Sequence, residues 1–111
     1  IPIIDLYYKL GAHQKGSQVL SDMIQDQLTE IKYLKEFDTG SRLKQNIGLS
    51  GQILSSLGRV VQTHKLEDLS YNYIEENGLY YKQKDGEKEQ IDFNDFRINT
   101  FMDEYLSLST N

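Results

Sequence analysis

The sequence predicts an α+β fold: a mainly α domain with a small antiparallel β ribbon and a C-terminal helix. Three observations carry this expectation. Apolar residues recur at steps of three and four from the start to about residue 65 and again near the end. Between about residues 70 and 93 the period shifts to alternation around Asn77-Gly78 and Asp85-Gly86, dipeptides that favour tight hairpin turns. Only Pro2 and eight glycines interrupt the chain, and the absence of Cys excludes a disulfide framework.

Ile3, Ile4, Leu6, Tyr7 and Leu10 form a short apolar helix expected to pack inward and to stop at Gly11. Ser17 is the expected N-cap of a long amphipathic helix in which Leu20, Ile24, Leu28, Ile31 and Leu34 share one face, ending near Phe37 with a weak point at Thr29. Asp38, Thr39 and Gly40 end it, and Asp38 or Thr39 caps the next helix. Residues 40–65 read as two short helices, the second opening on Ser50 as N-cap, joined by a turn at Ile47-Gly48-Leu49. Gly48 suits such a turn because glycine reaches left-handed backbone angles without a Cβ clash. The 70–93 segment supplies the ribbon, with Tyr71, Tyr73, Tyr80 and Tyr81 packing across strands. Asn94 then caps a helix over 94–108, with Ile98, Phe101, Met102, Tyr105 and Leu106 on one stripe. That stripe serves as core or, alternatively, as the seam of a homodimer.

At 111 residues, 38% hydrophobic and 26% charged, the chain reads as one soluble domain, residues 1–111, able to bury its own core. No apolar run is long enough for a bilayer span or a signal peptide. The chain starts at Ile1 rather than Met, which suggests a processed product or an excised piece. A cytoplasmic location is expected, the alternative being an extracytoplasmic domain of a membrane protein. His13 and His64 have no companions at metal-ligand spacing, Gly48-Leu49-Ser50-Gly51 lacks the lysine of a phosphate-binding loop, and Asp22/Asp26 and Glu75/Glu76 read as solvated pairs. No catalytic residue, metal, cofactor or small-molecule substrate is therefore expected.

Charge is unevenly spread. Residues 39–66 contain none of the 17 acidic residues yet carry Arg42, Lys44, Arg59 and Lys65, so a chain of net −5 holds a segment of +4 and a remainder of −9. If Leu43, Ile47, Leu49, Leu54 and Leu57 lock two helices across Gly48, the second turns Ser50, Gly51, Gln52, Ser55, Ser56 and Arg59 outward. Gln pairs with adenine, Arg with guanine and Ser with bases or phosphates, which is the chemistry of major-groove reading. Arg42, Lys44, Gln45 and Lys65 would flank it as phosphate contacts.

With the turn and the ribbon, this segment resembles the winged helix-turn-helix family of bacterial, plasmid and phage regulators and replication proteins, over about residues 40–84. The resemblance implies a winged helix-turn-helix fold and sequence-specific binding of double-stranded DNA in transcription or replication control. By position it assigns Gln52, Ser55, Ser56 and Arg59 to bases and Lys82, Lys84 or Lys88 to the wing. The competing expectation is a non-enzymatic protein-interaction or sensor domain in which the helices form a bundle and the basic segment is a solvated face.

Overall fold

Leu20, Ile24, Leu28, Ile31 and Leu34 recur every three or four residues and are all buried, which makes the helix that carries them the spine of the molecule. In the computed structural model, which describes residues 2–37 and 41–109, the elements run α1 (Pro2–Lys9), α2 (His13–Phe37), α3 (Ser41–Thr63), β1 (Asn72–Glu76), β2 (Leu79–Lys84), β3 (Glu87–Ile91) and α4 (Phe93–Ser109). The architecture is α+β: four helices and one three-stranded antiparallel sheet. α2 touches α1, α3 and α4, whereas α3 and α4 meet each other over a small area only.

Side-chain pairs set the helix directions. Lys32 Nζ lies 2.7 Å from Glu104 Oε1, and Lys35 Nζ donates to the Leu108 carbonyl, so α2 and α4 run parallel. Glu104 also takes Arg97 Nη1 at 2.9 Å, and the guanidinium covers the Phe93 ring at 5.1 Å. α3 runs antiparallel to α4, with Gly51 under Tyr105 and Gly58 beside Phe101.

The largest departure from the sequence expectation is α3. Residues 41–63 form one uninterrupted helix, so the turn at Ile47-Gly48-Leu49, the N-cap at Ser50 and the crossing of two short helices are all absent. The physical reason is that Leu54, Leu57 and Val61 extend the face begun by Ile47, Ser50 and Gly51, so one continuous helix buries the whole row. Each glycine in a helix interior costs about 1 kcal/mol relative to Ala, while each buried aliphatic side chain returns about 1.5–3 kcal/mol. Of the residues expected to lock the crossing, Leu54 and Leu57 are in the core and Ile47 packs at its margin. Leu49 is 52% exposed, and the Leu43 side chain lies outside the described residues. The expected ends and caps at Asp38, Thr39 and Gly40 also lie outside them.

Smaller corrections concern caps. α2 begins at His13 rather than at Ser17, whose hydroxyl instead sits 2.6 Å from the Tyr8 hydroxyl, and α2 continues through Thr29 without a break. α4 is capped by Asp92, whose Oδ1 accepts the Asp95 N–H at 2.8 Å, and not by Asn94. α3 ends in a Schellman motif: Leu66 N–H bonds the Val61 carbonyl, Lys65 N–H bonds the Gln62 carbonyl, and Lys65 holds the left-handed position at φ 54°.

The sheet is a meander of order β1-β2-β3. Both hairpins turn on residue pairs with positive φ, Asn77 and Gly78 at 53° and 81° and Asp85 and Gly86 at 53° and 82°, as the mirror-image turns of two-residue hairpins require. Tyr73 pairs with Lys82 and Tyr80 with Ile91. Tyr80 anchors the sheet to α4 through Phe93 and Phe96, with ring centroids 5.1 and 4.6 Å away. The molecule measures 45 × 34 × 21 Å, with a radius of gyration of 15.1 Å against about 13 Å for a compact chain of this size. Among the described residues, no helix is long and apolar enough to cross a membrane.

α1 packs only part of its apolar surface inward. Ile4 and Tyr8 are buried, while Ile3, Leu6 and Leu10 stay more than half exposed, which corrects the expectation of a helix facing wholly inward. His64, just past the end of α3, donates from Nε2 to Asp5 Oδ1 at 2.7 Å, and its ring stacks on Tyr8 at 4.8 Å.

Two outcomes test this architecture. Gly48→Ala should stabilise the protein by up to about 1 kcal/mol in urea unfolding, since an added Cβ meets nothing within 4 Å and gains helix propensity; a loss would mean a turn at that position. The His64 hydrogen bond holds the Asp5 carboxyl below its ordinary value. The contribution of a carboxyl depressed in this way is complete at neutral pH and disappears as pH falls below about 4. Asp5→Asn should therefore flatten the loss of stability in that acid window, and parallel unfolding curves for the two proteins would contradict it.

Candidate interaction surface

Because α3 is a single rod, the outward residues expected on a recognition helix fall along one flank of it. Gln52, Ser55 and Arg59 are exposed and Ser56 is half-buried. They form a ladder: Ser56 Oγ donates to the Gln52 carbonyl at 3.2 Å and Arg59 Nη2 donates to Ser56 Oγ at 3.3 Å. Opposite stands Tyr105 of α4, whose hydroxyl lies against Gly51 so closely that a Cβ there would collide with it.

The two helices thus bound an open cleft of about 480 Å³, walled by Gly48, Gly51, Gln52, Ser55, Ser56 and Arg59 on one side and Tyr105 on the other. Among the described residues, no carboxylate lines it. A smaller cleft of about 310 Å³ continues along the same seam, between Ser55, Gly58, Val61 and Gln62 of α3 and Phe101 and Met102 of α4. Glu67 closes that end.

The remaining expected contacts do not join this flank. Ser50 is only 5% exposed, which corrects its assignment to the outward face: in a continuous helix it falls on the side of Leu54 and Leu57. The side chains of Arg42 and Lys44 lie outside the described residues. Lys65 is exposed at the left-handed cap of α3. Lys82 and Lys84 sit on β2 with their ammonium groups 4.7 and 5.4 Å from the centre of the Tyr71 ring. They border a separate concavity that also holds Asp85, Glu87 and Glu89, and Lys82 lies 3.7 Å from Glu89. Lys88 pairs with Glu76 at 3.0 Å and covers Tyr81 at 4.7 Å.

Tyr105, expected on the α4 stripe, is half-buried against the core and also walls the groove, a second role that its spacing with Ile98 and Phe101 does not reveal. The signal that could have placed it is the run of Gly48, Gly51, Ser55 and Gly58, small residues at helical spacing that admit a close neighbour. The arrangement offers an arginine, an amide, hydroxyls and a phenol in an open groove, which is binding chemistry. Among the described residues no group of three or more metal-ligating side chains is assembled.

The seam is directly testable. Gly51→Ala should destabilise by about 1–3 kcal/mol despite its better helix propensity, because the methyl group displaces Tyr105. Tyr105→Phe in that background should recover much of the loss, since the hydroxyl is the nearest atom; a stabilising Gly51→Ala would show that the helices do not meet there. No protein-family model, curated protein or solved structure matches this chain.

Proposed function

We propose that this chain is a non-enzymatic protein-interaction domain whose α3–α4 groove receives an acidic segment of a partner protein. The observation that carries the reading is Arg59. It stands exposed in a groove where the described residues place no carboxylate, on a chain of net −5, and has no ion pair among those residues. A planar guanidinium in that setting is suited to bidentate capture of a carboxylate, and Gln52 and the Ser55 and Ser56 hydroxyls can pair with the backbone of the incoming segment.

The nucleic-acid reading is weaker on the same geometry. Affinity for duplex DNA comes mainly from several Lys or Arg side chains placed on phosphates. Among the described residues the groove has one such cation, and Lys82 and Lys84 lie on the sheet beside Glu87 and Glu89. The steep crossing that would press a helix into the major groove is not formed.

Selection from a random peptide library displayed on phage tests the proposal when followed by amide-shift mapping of the recovered peptides. The expected outcome is enrichment of Asp and Glu, shifts confined to Gln52, Ser55, Ser56, Arg59 and Tyr105, and a loss of about tenfold in affinity on Arg59→Ala. Salt-sensitive binding of mixed duplex DNA that is lost on Arg59→Ala and Gln52→Ala would return the groove to nucleic acid and end the peptide reading.

A further inference from the structure

A separate cleft of about 170 Å³ lies where the helices meet the sheet. Asp68 in the α3–β1 connection, Tyr73 on β1, Lys82 on β2, and Asp95 with Asn99 on α4 line it, and Leu66 and Ile91 supply apolar walls. Its frame is fixed by hydrogen bonds. Asn99 Oδ1 accepts the Asp68 N–H at 2.9 Å, and Asn99 Nδ2 donates to the Asp95 carbonyl at 2.8 Å. The Tyr73 hydroxyl donates to the Asp68 carbonyl at 2.9 Å. Ser70 donates its N–H and its hydroxyl to Asp68 Oδ1 at 2.9 and 2.5 Å.

Two charged groups of the cleft are only loosely engaged within the chain. The Asp95 carboxylate takes no hydrogen bond and no ion pair among the described residues. Among the described residues, Lys82 has a 3.7 Å approach to Glu89, itself 70% exposed, and the face of Tyr71. Partial desolvation, then the neighbouring Asp92 carboxylate, push the Asp95 carboxyl above its ordinary value, while Lys82 draws it down. Desolvation and the charges of Asp68 and Asp95 push the Tyr73 hydroxyl up to about 12, so it remains neutral at physiological pH.

We propose that this cleft binds a free α-amino acid as its zwitterion, the ammonium on Asp95, the carboxylate on Lys82 and a small side chain against Leu66 and Ile91. An anion alone would meet Asp95, and a cation alone would meet Lys82; a ligand carrying both charges a few bonds apart satisfies both. The volume is below the roughly 300–1,000 Å³ of drug-sized sites, which suits a ligand of a few heavy atoms and not a peptide or nucleotide. The site is independent of the groove beside Arg59 and stands or falls without it.

The test is an amide-shift titration of the isotope-labelled protein with each standard amino acid, with acetate and methylammonium in parallel. At least one small amino acid should give saturable shifts at Asp68, Tyr73, Lys82, Asp95 and Asn99 with a Kd of about 1 mM or tighter, and the two half-ligands should bind about tenfold more weakly. Asp95→Asn and Lys82→Met should each cost about tenfold in affinity while leaving the amide dispersion of the folded protein intact. The proposal is overturned if no amino acid gives saturable shifts up to about 100 mM. It is also overturned if methylammonium binds as well as the amino acid, or if both variants bind unchanged.

Discussion

The structure depends on one buried row: Leu20, Ile24, Leu28 and Ile31 of α2, all fully buried, with Leu34 nearly so. Each such side chain contributes about 1.5–3 kcal/mol by leaving water, more than most exposed ion pairs in the molecule can add. The row has neighbours on three sides, because α1, α3 and α4 all lie against α2. Where α1 folds back, Gly16 leaves room for the Tyr8 ring, whose Cε2 would stand 3.0 Å from an added Cβ. α2 is therefore the common wall, and the limited contact between α3 and α4 follows from both being placed by α2.

Much of this arrangement was legible in the sequence, and the exceptions share a cause. α2, the two hairpins and α4 announce themselves through long unbroken periodicity or through turn pairs whose positive φ only a few residue types tolerate. α3 departs from its sequence pattern because Gly48 and Ser50 carry the local chemistry of a turn and a cap. Local chemistry lost to burial: with Ser50 accepted as a small interior residue, positions 47, 50, 54, 57 and 61 form a single helical face. Cap residues were displaced for a similar reason. Ser17 is taken by the Tyr8 hydroxyl, and Asp92 reaches the Asp95 amide before Asn94 can act. The inward face of α1 is not legible because both of its faces are apolar, and nothing local says that Ile4 and Tyr8, and not Ile3 and Leu6, are the ones buried. Of the candidate site, the cluster of Gln52, Ser55, Ser56 and Arg59 survived the change of fold, since those residues share a flank in either arrangement. Tyr105 is legible as part of the α4 stripe but not as a wall of the groove, because that role needs knowledge of which helix lies opposite Gly51.

Charge segregation acquires a different meaning on a continuous α3. Lys32, Arg97, Lys82 and Lys88 all have carboxylate neighbours. Arg97 is held most tightly, its side chain 13% exposed between Glu104 and the Phe93 ring, and there the carboxylate pairs Nη1 of a guanidinium withdrawn from water while its Nε stays buried without a hydrogen bond. Arg59 is in the opposite situation. An exposed surface pair is worth at most about 1 kcal/mol, so leaving Arg59 without a carboxylate costs the fold little. The whole described flank of α3 can remain free of acids without loss of stability, and its charge is then available to something outside the chain.

The shape of the groove has its own cause in the glycines. Where Gly51 meets Tyr105 and Gly58 meets Phe101, the helices approach without intervening side chains, and next to those points the polar residues of α3 stand away from α4. Close approach and open cleft are two consequences of one distribution of small residues. α4 also carries Asp95 at its other end, so the groove and the cleft at the sheet share one helix. Mechanical coupling between them through α4 would need that helix to have two discrete arrangements. Ile98 and Phe101, each 1% exposed between the two sites, are packed in the core, where removing such a side chain costs about 2–5 kcal/mol for a large aliphatic one and about 3–5 for phenylalanine, so both fix α4 in place. That packing weighs against a shift of α4 when either surface is occupied.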